Sequence, residues 1–365
     1  MIQKKIILPF LAAGLTSAAS AQVLKEYSHL QVRPKGYVCY RTEGKIEIDG
    51  ILDESSWAKA PYTDTFVDIE GDKKPLPYHD TQVKMLWDDD YLYIAAVLKE
   101  DHIMANLHQK DTIVYYDNDF EVFVDPDGDG HNYYEIETNA INTIFDLFLQ
   151  KSYRDGGAVI FHWDCEGMKI KSNIQGTINN PNDKDTLWTV EMAIPQNAFR
   201  FEFNKPMQAG NYWRINFSRV QWDHEFKNGR YERMKDASGN FKPEYNWVWS
   251  EQGLISMHMP ERWGYLYFSP ETCGQGNEKF VYPAYDNGKD LLWSMYYKQK
   301  DLMGKTGKFG IKPKELGLSG NVVEFRGEKW TIGIETTSRT FEMTATSPDK
   351  KQTWVINNQG YIRGL

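Results

Sequence analysis

The sequence predicts a mainly β protein: a two-sheet antiparallel β-sandwich with a small β-rich C-terminal appendage. Three observations lead there. Short segments that alternate apolar and polar residues recur from about residue 37 to residue 268, separated by turn clusters. Over that stretch only residues 53–59 carry a helix-start signature. The 12 Trp, 22 Tyr and 18 Phe make up 14% of the 365 residues, a ring content that the core of a sandwich absorbs readily.

The elements follow in chain order. Residues 1–21 read as a secretory signal peptide, with Lys4 and Lys5 before an apolar run over 6–15 and Ala19-Ser20-Ala21 as the cleavage site. The run is too short to span a bilayer. Cleavage after Ala21 is expected, followed by a linker over 22–36 and a secreted or periplasmic chain. Thr81–Trp87 and residues 91–98 flank Asp88-Asp-Asp90 as a hairpin. Asp119–Asp125 places Phe120, Val122 and Val124 on one face and Asp119, Glu121, Phe123 and Asp125 on the other. Residues 131–140 and 143–149 form the next pair, turned at Ile141-Asn142. Strands over 188–194, 212–222 and 262–268 complete the sandwich, assigned to residues 37–270.

Beyond Pro270 the composition changes, and 271–365 reads as a separate appendage. A helix over 286–303 would turn Leu291, Leu292, Met295 and Leu302 inward, and four strands follow at 322–326, 329–335, 340–346 and 352–356. Nothing in the appendage identifies a protein partner.

Charge narrows the partners. With 42 Lys+Arg against 51 Asp+Glu, a formal charge of -9 and no basic run, neither nucleic acid nor anionic lipid is an expected ligand. No later apolar run is long enough for membrane insertion. Cys39, Cys165 and Cys273 are an odd set that matches no metal knuckle, so buried free thiols are expected.

Several segments then read together. Lys45-Ile-Glu-Ile-Asp-Gly-Ile-Leu-Asp-Glu-Ser-Ser-Trp57 comes first, followed by Val83-Lys-Met-Leu-Trp-Asp-Asp-Asp-Tyr-Leu-Tyr-Ile94. Asn118-Asp-Phe-Glu-Val-Phe-Val-Asp125, Trp188-Thr-Val-Glu-Met-Ala-Ile-Pro195 and Arg262-Trp-Gly-Tyr265 complete the order. The set resembles the family 9 carbohydrate-binding modules, which are DOMON-like β-sandwiches, over about residues 37–268. The resemblance implies a sugar clamped between aromatic rings, with carboxylate, arginine and amide groups on its hydroxyls. By position, Tyr115 takes the place of the first stacking ring and Glu121 that of the carboxylate. Glu137 stands at the arginine position, Ser218 near the amide position and Met257 near the second tryptophan. His258, Trp222, Trp247 and Trp249 lie close in sequence to those departures.

The ligand-binding candidates are therefore Tyr115, Tyr116, Asn118, Glu121, Glu137, Asn139, Arg154, Trp222, Trp249 and His258. Tyr115-Tyr116-Asp-Asn118 precedes a strand, where loops carry function, and mixes rings with hydrogen-bonding groups. Tyr153-Arg154-Asp-Gly-Gly157 offers a guanidinium to a sugar, or a structural ion pair. Trp247 and Trp249 point to one face of a strand, and one of the two is expected to be accessible. Asp125, Asp127 and Asp129 form the start of a calcium-type loop, although Ile136 stands where an EF-hand would need Glu. Calcium is the cofactor this loop points to.

The expected function is non-catalytic carbohydrate binding, in the setting of polysaccharide degradation, with an oligo- or polysaccharide as partner. One alternative is a glycoside hydrolase or lyase using Glu121 and Glu137, with Asp119 nearby across neighbouring strands. The other is a haem-binding DOMON-type domain, for which adjacent Met257 and His258 are poorly placed, because axial ligands come from opposite sides of the ring.

Overall fold

A computed structural model of the chain describes residues 26–30, 32–201 and 205–365. The signal-peptide segment lies outside the described residues. The alternating segments become strands β1 (Gly36–Arg41), β2 (Val67–Asp68), β3 (Thr81–Trp87), β4 (Tyr91–Lys99), β5 (Asp119–Asp125), β6 (His131–Asn139), β7 (Ile144–Lys151) and β8 (Val159–Ile160). They continue as β9 (Lys169–Gln175), β10 (Leu187–Pro195), β11 (Tyr212–Gln221), β12 (His224–Lys227), β13 (Arg230–Arg233), β14 (Tyr245–Val248) and β15 (Gly264–Thr272). The helix-start signature yields α1 (Ser55–Lys59).

The main ladder runs β8-β7-β6-β5-β11-β15-β1-β3-β4-β10-β9, with β14 and β2 branching from β11. Its two halves face each other across one core. Phe120, Val122 and Val124 of β5 and Phe217 of β11 meet Val83, Met85, Ile94, Val190 and Met192 from the opposite half. This is the expected sandwich, with one departure from antiparallel pairing. β1 runs parallel to both β15 and β3, so it joins the two layers at their seam. Strand β9 has little apolar alternation, with residues Lys-Ile-Lys-Ser-Asn-Ile-Gln, and it pairs at the edge beside β10. The sequence reading passed over it for that reason.

The ordered sequence segments meet through buried hydrogen bonds. Glu191 on β10 accepts the Trp57 indole N–H at 2.8 Å, and its other oxygen accepts the amides of Asp49 and Gly50 at 3.0 and 2.9 Å. Gly50 has φ +86 and sits against the Ser172 and Asn173 backbone, so a side chain there would be both strained and crowded. Conserving the geometry of this corner thus needs Asp-Gly, Trp and Glu from two distant segments.

The described residues divide into two units: those within 32–284 together with 359–361, and residues 26–30 together with 285–358 and 362–365. The boundary thus falls at Tyr285 rather than 271, since β15 runs on to Thr272 and Cys273 packs in the same cluster as Val38, Trp57 and Leu86. The smaller unit carries α2 (Asn287–Thr306), which ends at Gly307 in the left-handed conformation. Its meander is β16 (Val322–Phe325), β17 (Glu328–Thr336), β18 (Phe341–Thr346), β19 (Thr353–Asn357) and β20 (Ile362–Gly364). The fifth strand, three residues long, is too short to show alternation. Leu291, Leu292 and Met295 of α2 pack on Trp330, Ile332, Met343 and Ile356 of this sheet.

All three cysteines are free and buried. Among the described residues, no helix is long and apolar enough to cross a membrane.

Candidate functional site

The site is built on the outer face of β5, β6 and β7. In most sandwiches an outer face meets water; here all seven residues of β5 are buried, because loops cover that face as well. Antiparallel pairing sets Glu121 opposite Glu137 and Phe123 opposite Glu135. Since Phe120, Val122 and Ile136 turn inward to the core, the intervening side chains turn outward together. They floor a cavity of about 350 Å³. Phe145 and Leu147 of β7 extend the floor, and Tyr115, Tyr153, Phe161, Met257 and His258 from loops form its walls. Glu244 and Asn246 line the side nearest β14.

The electrostatics are unusual. Oxygens of Asp119, Glu121 and Glu137 lie within 4.8 Å of one another, and all three side chains are buried. Burial pushes Glu121 up to about 7, partly countered by a hydrogen bond from Ser218, while Glu244 adds repulsion. Burial, and then the neighbouring Glu121 charge, holds Asp119, Glu135 and Glu137 well above the usual carboxylate range. Glu137 Oε2 accepts the Tyr115 amide at 3.2 Å, which ties the wall to the floor. His258 goes the other way: burial lowers it to about 4, so its ring is neutral at pH 7. Its Nδ1 lies 3.0 Å from the Tyr133 hydroxyl, and the ring packs edge-on against Phe123 and Tyr153. A histidine so enclosed beside Met257 gives no support to haem ligation.

Of the sequence candidates, the structure brings Tyr115, Glu121, Glu137 and His258 to this cavity. Tyr116 is elsewhere: it lines a second depression, where Arg233 lies 4.3 Å above its ring. Asn118 is buried as a brace, its amide N–H donating to Glu100 and its oxygen accepting the Trp222 amide. Asn139 clamps its own turn, accepting the Ile141 and Thr143 amides and donating to Leu107 and Asp117. Arg154 forms a two-pronged ion pair with Glu261 at 2.6 and 2.9 Å, the structural version of that motif. Trp222 supports the site from behind, its indole donating to the Tyr115 carbonyl at 2.7 Å.

The expectation that Trp247 or Trp249 is accessible is overturned. Both are 1% exposed and belong to the central core, with Trp249 packed where a side chain on Gly264 would sit. The default for Trp in a sandwich prevails, because that face of β14 looks between the layers.

Asp125, Asp127 and Asp129 do place carboxylate oxygens within 4.8 Å of one another. However, both Asp125 oxygens accept amides, from Gly128 and Gly130 at 2.9 Å each, and Asp129 accepts that of His131. The turn is closed by its own backbone, with or without a cation.

The sequence reading missed Glu135 and Tyr153. The Glu135-Ile-Glu137 spacing on a strand was a usable signal, since alternation puts both on the face of Glu121. The covering loops left no such mark.

The family model described as "Carbohydrate family 9 binding domain-like" matches residues 48–245. Among solved structures, a candidate carbohydrate-binding protein from Bacteroides uniformis is 17% identical, with a TM-score of 0.48, over 65% of this chain and 100% of that one. A family 9 carbohydrate-binding module from Caldicellulosiruptor kristjanssonii, solved with cellotriose, is 15% identical, with a TM-score of 0.39, over 67% of this chain and 98% of that one. No curated protein matches. With the family match spanning more than half of its length, from before β2 to the start of β14, the chain belongs to the family 9 carbohydrate-binding-domain-like proteins.

Proposed function

We propose that the protein is a secreted or periplasmic, non-catalytic carbohydrate-binding protein, and that the cavity over β5–β6–β7 is its sugar site. The observation that carries this is the convergence of rings and carboxyls in one cavity of about 350 Å³ on a member of this family. That volume suits a sugar unit, and the mix of apolar wall with few polar groups is what a small-ligand site needs. Tyr115 and Tyr153 offer ring faces to C–H groups, while Glu121 and Glu137 meet hydroxyls. Asn118, Asn139, Arg154, Trp222 and Trp249 are assigned supporting rather than contacting roles.

Hydrolysis through Glu121 and Glu137 is the weaker reading. Glycosidases hold one carboxyl protonated beside another kept ionised, by giving them different surroundings. Here burial raises both, the described lining holds no Lys or Arg, and the His258 ring is neutral, so nothing keeps one of them ionised.

A glycan array followed by calorimetry on the best ligand tests the reading. Tyr115→Ala is expected to weaken binding about tenfold, from the loss of about 1–1.5 kcal/mol of ring contact, with the melting temperature nearly unchanged. Absence of binding across a broad array, or release of reducing sugar, would overturn it.

A further inference from the structure

The floor of the cavity contains more acid than a neutral sugar requires. Glu121 and Glu137 face each other across the β5–β6 ladder, Glu135 is one pleat away opposite Phe123, and Asp119 is one pleat away on the other side. All four are at most 6% exposed. Two of their oxygens, Asp119 Oδ2 and Glu135 Oε2, are buried with no hydrogen-bond partner among the described residues. Glu135 itself lines the cavity.

Several other buried acids among the described residues meet a counter-charge or a set of donors. Glu100 pairs with Arg219 at 2.9 Å, Glu261 with Arg154, Asp146 with Lys110, and Glu191 with an indole and two amides. Around the cavity, by contrast, the described lining holds no Lys and no Arg. Buried acids without a counter-charge are costly, and an orphaned oxygen among them costs more. Such an arrangement persists where a ligand supplies the missing partner.

What partner fits is set by shape. An ammonium group donates three hydrogen bonds of about 2.8 Å, directed away from its carbon. Three acceptors around one nitrogen at that distance lie about 4–5 Å apart, and the oxygens of Asp119, Glu121 and Glu137 lie within 4.8 Å of one another. A bare metal ion would satisfy the acids but leave the ring walls with nothing to cover. A charged sugar uses both.

Resting on the reading that this cavity is the sugar site, we propose that its preferred ligand is a sugar carrying a free, protonated amine, a deacetylated amino sugar. Glu121 and Glu137 receive the ammonium, with Asp119 behind them in the same oxygen cluster, and Glu135 accepts from the amine or an adjacent hydroxyl. The empty cluster is held protonated by burial and mutual repulsion. Arrival of a positive charge lets protons leave, so binding should release protons to the buffer. The groups facing the cluster are Ser218 from β11, Tyr115, Tyr153 and neutral His258 from the loops, and Glu244, none of which supplies a cation.

The test is calorimetry on the full chain with three tetrasaccharides: β-1,4-linked glucosamine, its fully N-acetylated form, and the glucose equivalent. At pH 7 the amine form is expected to bind at least tenfold tighter than either neutral one. Its heat should differ between buffers of unlike ionisation enthalpy, as proton release requires. Glu135→Gln and Glu137→Gln should each weaken binding of the amine form far more than binding of the neutral forms, erasing most of that preference. A folded, cooperative melt of each variant is the control.

Equal or weaker binding of the amine form, with the neutral forms still bound and Tyr115-dependent, overturns this proposal and leaves the sugar site standing. No binding of all three, together with an empty glycan array, overturns both. Titration with calcium chloride alone that gives saturable, Glu135-dependent binding overturns the amine in favour of a metal.

Discussion

Arg154 shows how a side chain with a plausible ligand role can be occupied by structure. Its guanidinium forks onto Glu261, which is 5% exposed, and the pair fixes the loop that carries Tyr153. Arg154→Ala would remove the two charged hydrogen bonds to the buried Glu261 carboxylate, a loss of about 1.5–3 kcal/mol in stability. Sugar affinity should fall far less than in Tyr115→Ala, and chemical denaturation alongside calorimetry separates the two effects. A large affinity loss with unchanged stability would move Arg154 into the binding set. Tyr115 is the opposite case. Its backbone is tied twice, to Glu137 and to Trp222, while its ring remains free to line the cavity.

At the scale of elements, the sandwich depends on polar fastenings as well as on its apolar core. The corner between the loop before α1 and β10 is one: Trp57 is fully buried, and its indole N–H ends on Glu191. Trp57→Phe removes that donor while keeping most of the apolar volume, so a loss of about 1–3 kcal/mol is expected, measured as a shift in the denaturation midpoint. No shift would mean that the corner is held by Gly50 and Asp49 without the indole. The β4–β11 junction is another. There the Arg219 guanidinium is fully buried against Glu100, with Gln221 bridging both. Burial alone would raise Glu100, but the His79 hydrogen bond and the Arg219 charge outweigh it and bring the carboxyl down to about 2. The same strand, β11, therefore neutralises Glu100 through Arg219, while Ser218 and Val220 on either side border the unneutralised cluster.

For the whole molecule these carboxyls give stability a definite pH dependence. The folded values of Glu121, at about 7, and Glu191, at about 6, lie above the ordinary 4.5, and Asp119, Glu135 and Glu137 are also raised. The folded state then binds more protons than the unfolded chain. That contribution is fully present below pH 4.5 and is lost as pH rises through about 6 to 7. Glu100 has the opposite sign: its contribution is present above 4.5 and is lost as pH falls toward about 2. Buried His258 and His224, both lowered from 6.5, also favour the less acidic side, but the raised acids outnumber them. The melting temperature of the ligand-free protein should therefore peak in mild acid, near pH 5, and decline toward pH 8. Glu135→Gln and Glu137→Gln should flatten the alkaline decline. A flat profile from pH 5 to 8 in the unsubstituted protein would contradict the electrostatics described for the cavity floor.

Local periodicity determined much of this protein on its own. Alternation in Asp119–Asp125 separated Phe120, Val122 and Val124 from Asp119, Glu121 and Phe123, because side-chain direction in a strand follows from the backbone, and the structure turns the first set into the core. The same rule put Glu121, Glu137 and Asp119 near one another. The ordered segments from Lys45 to Tyr265 identified the family over its sandwich. Tertiary structure decided what periodicity cannot carry: which face of a strand is covered, and by which loop. Trp249 and Tyr115 are both rings near strand ends, yet one is enclosed between the layers and the other lines a cavity. Glu100 and Glu135 are both buried glutamates, yet only the first meets an arginine, brought to it from 119 residues away. Burial and charge balance are properties of neighbours in space, and most of those neighbours are distant in the chain.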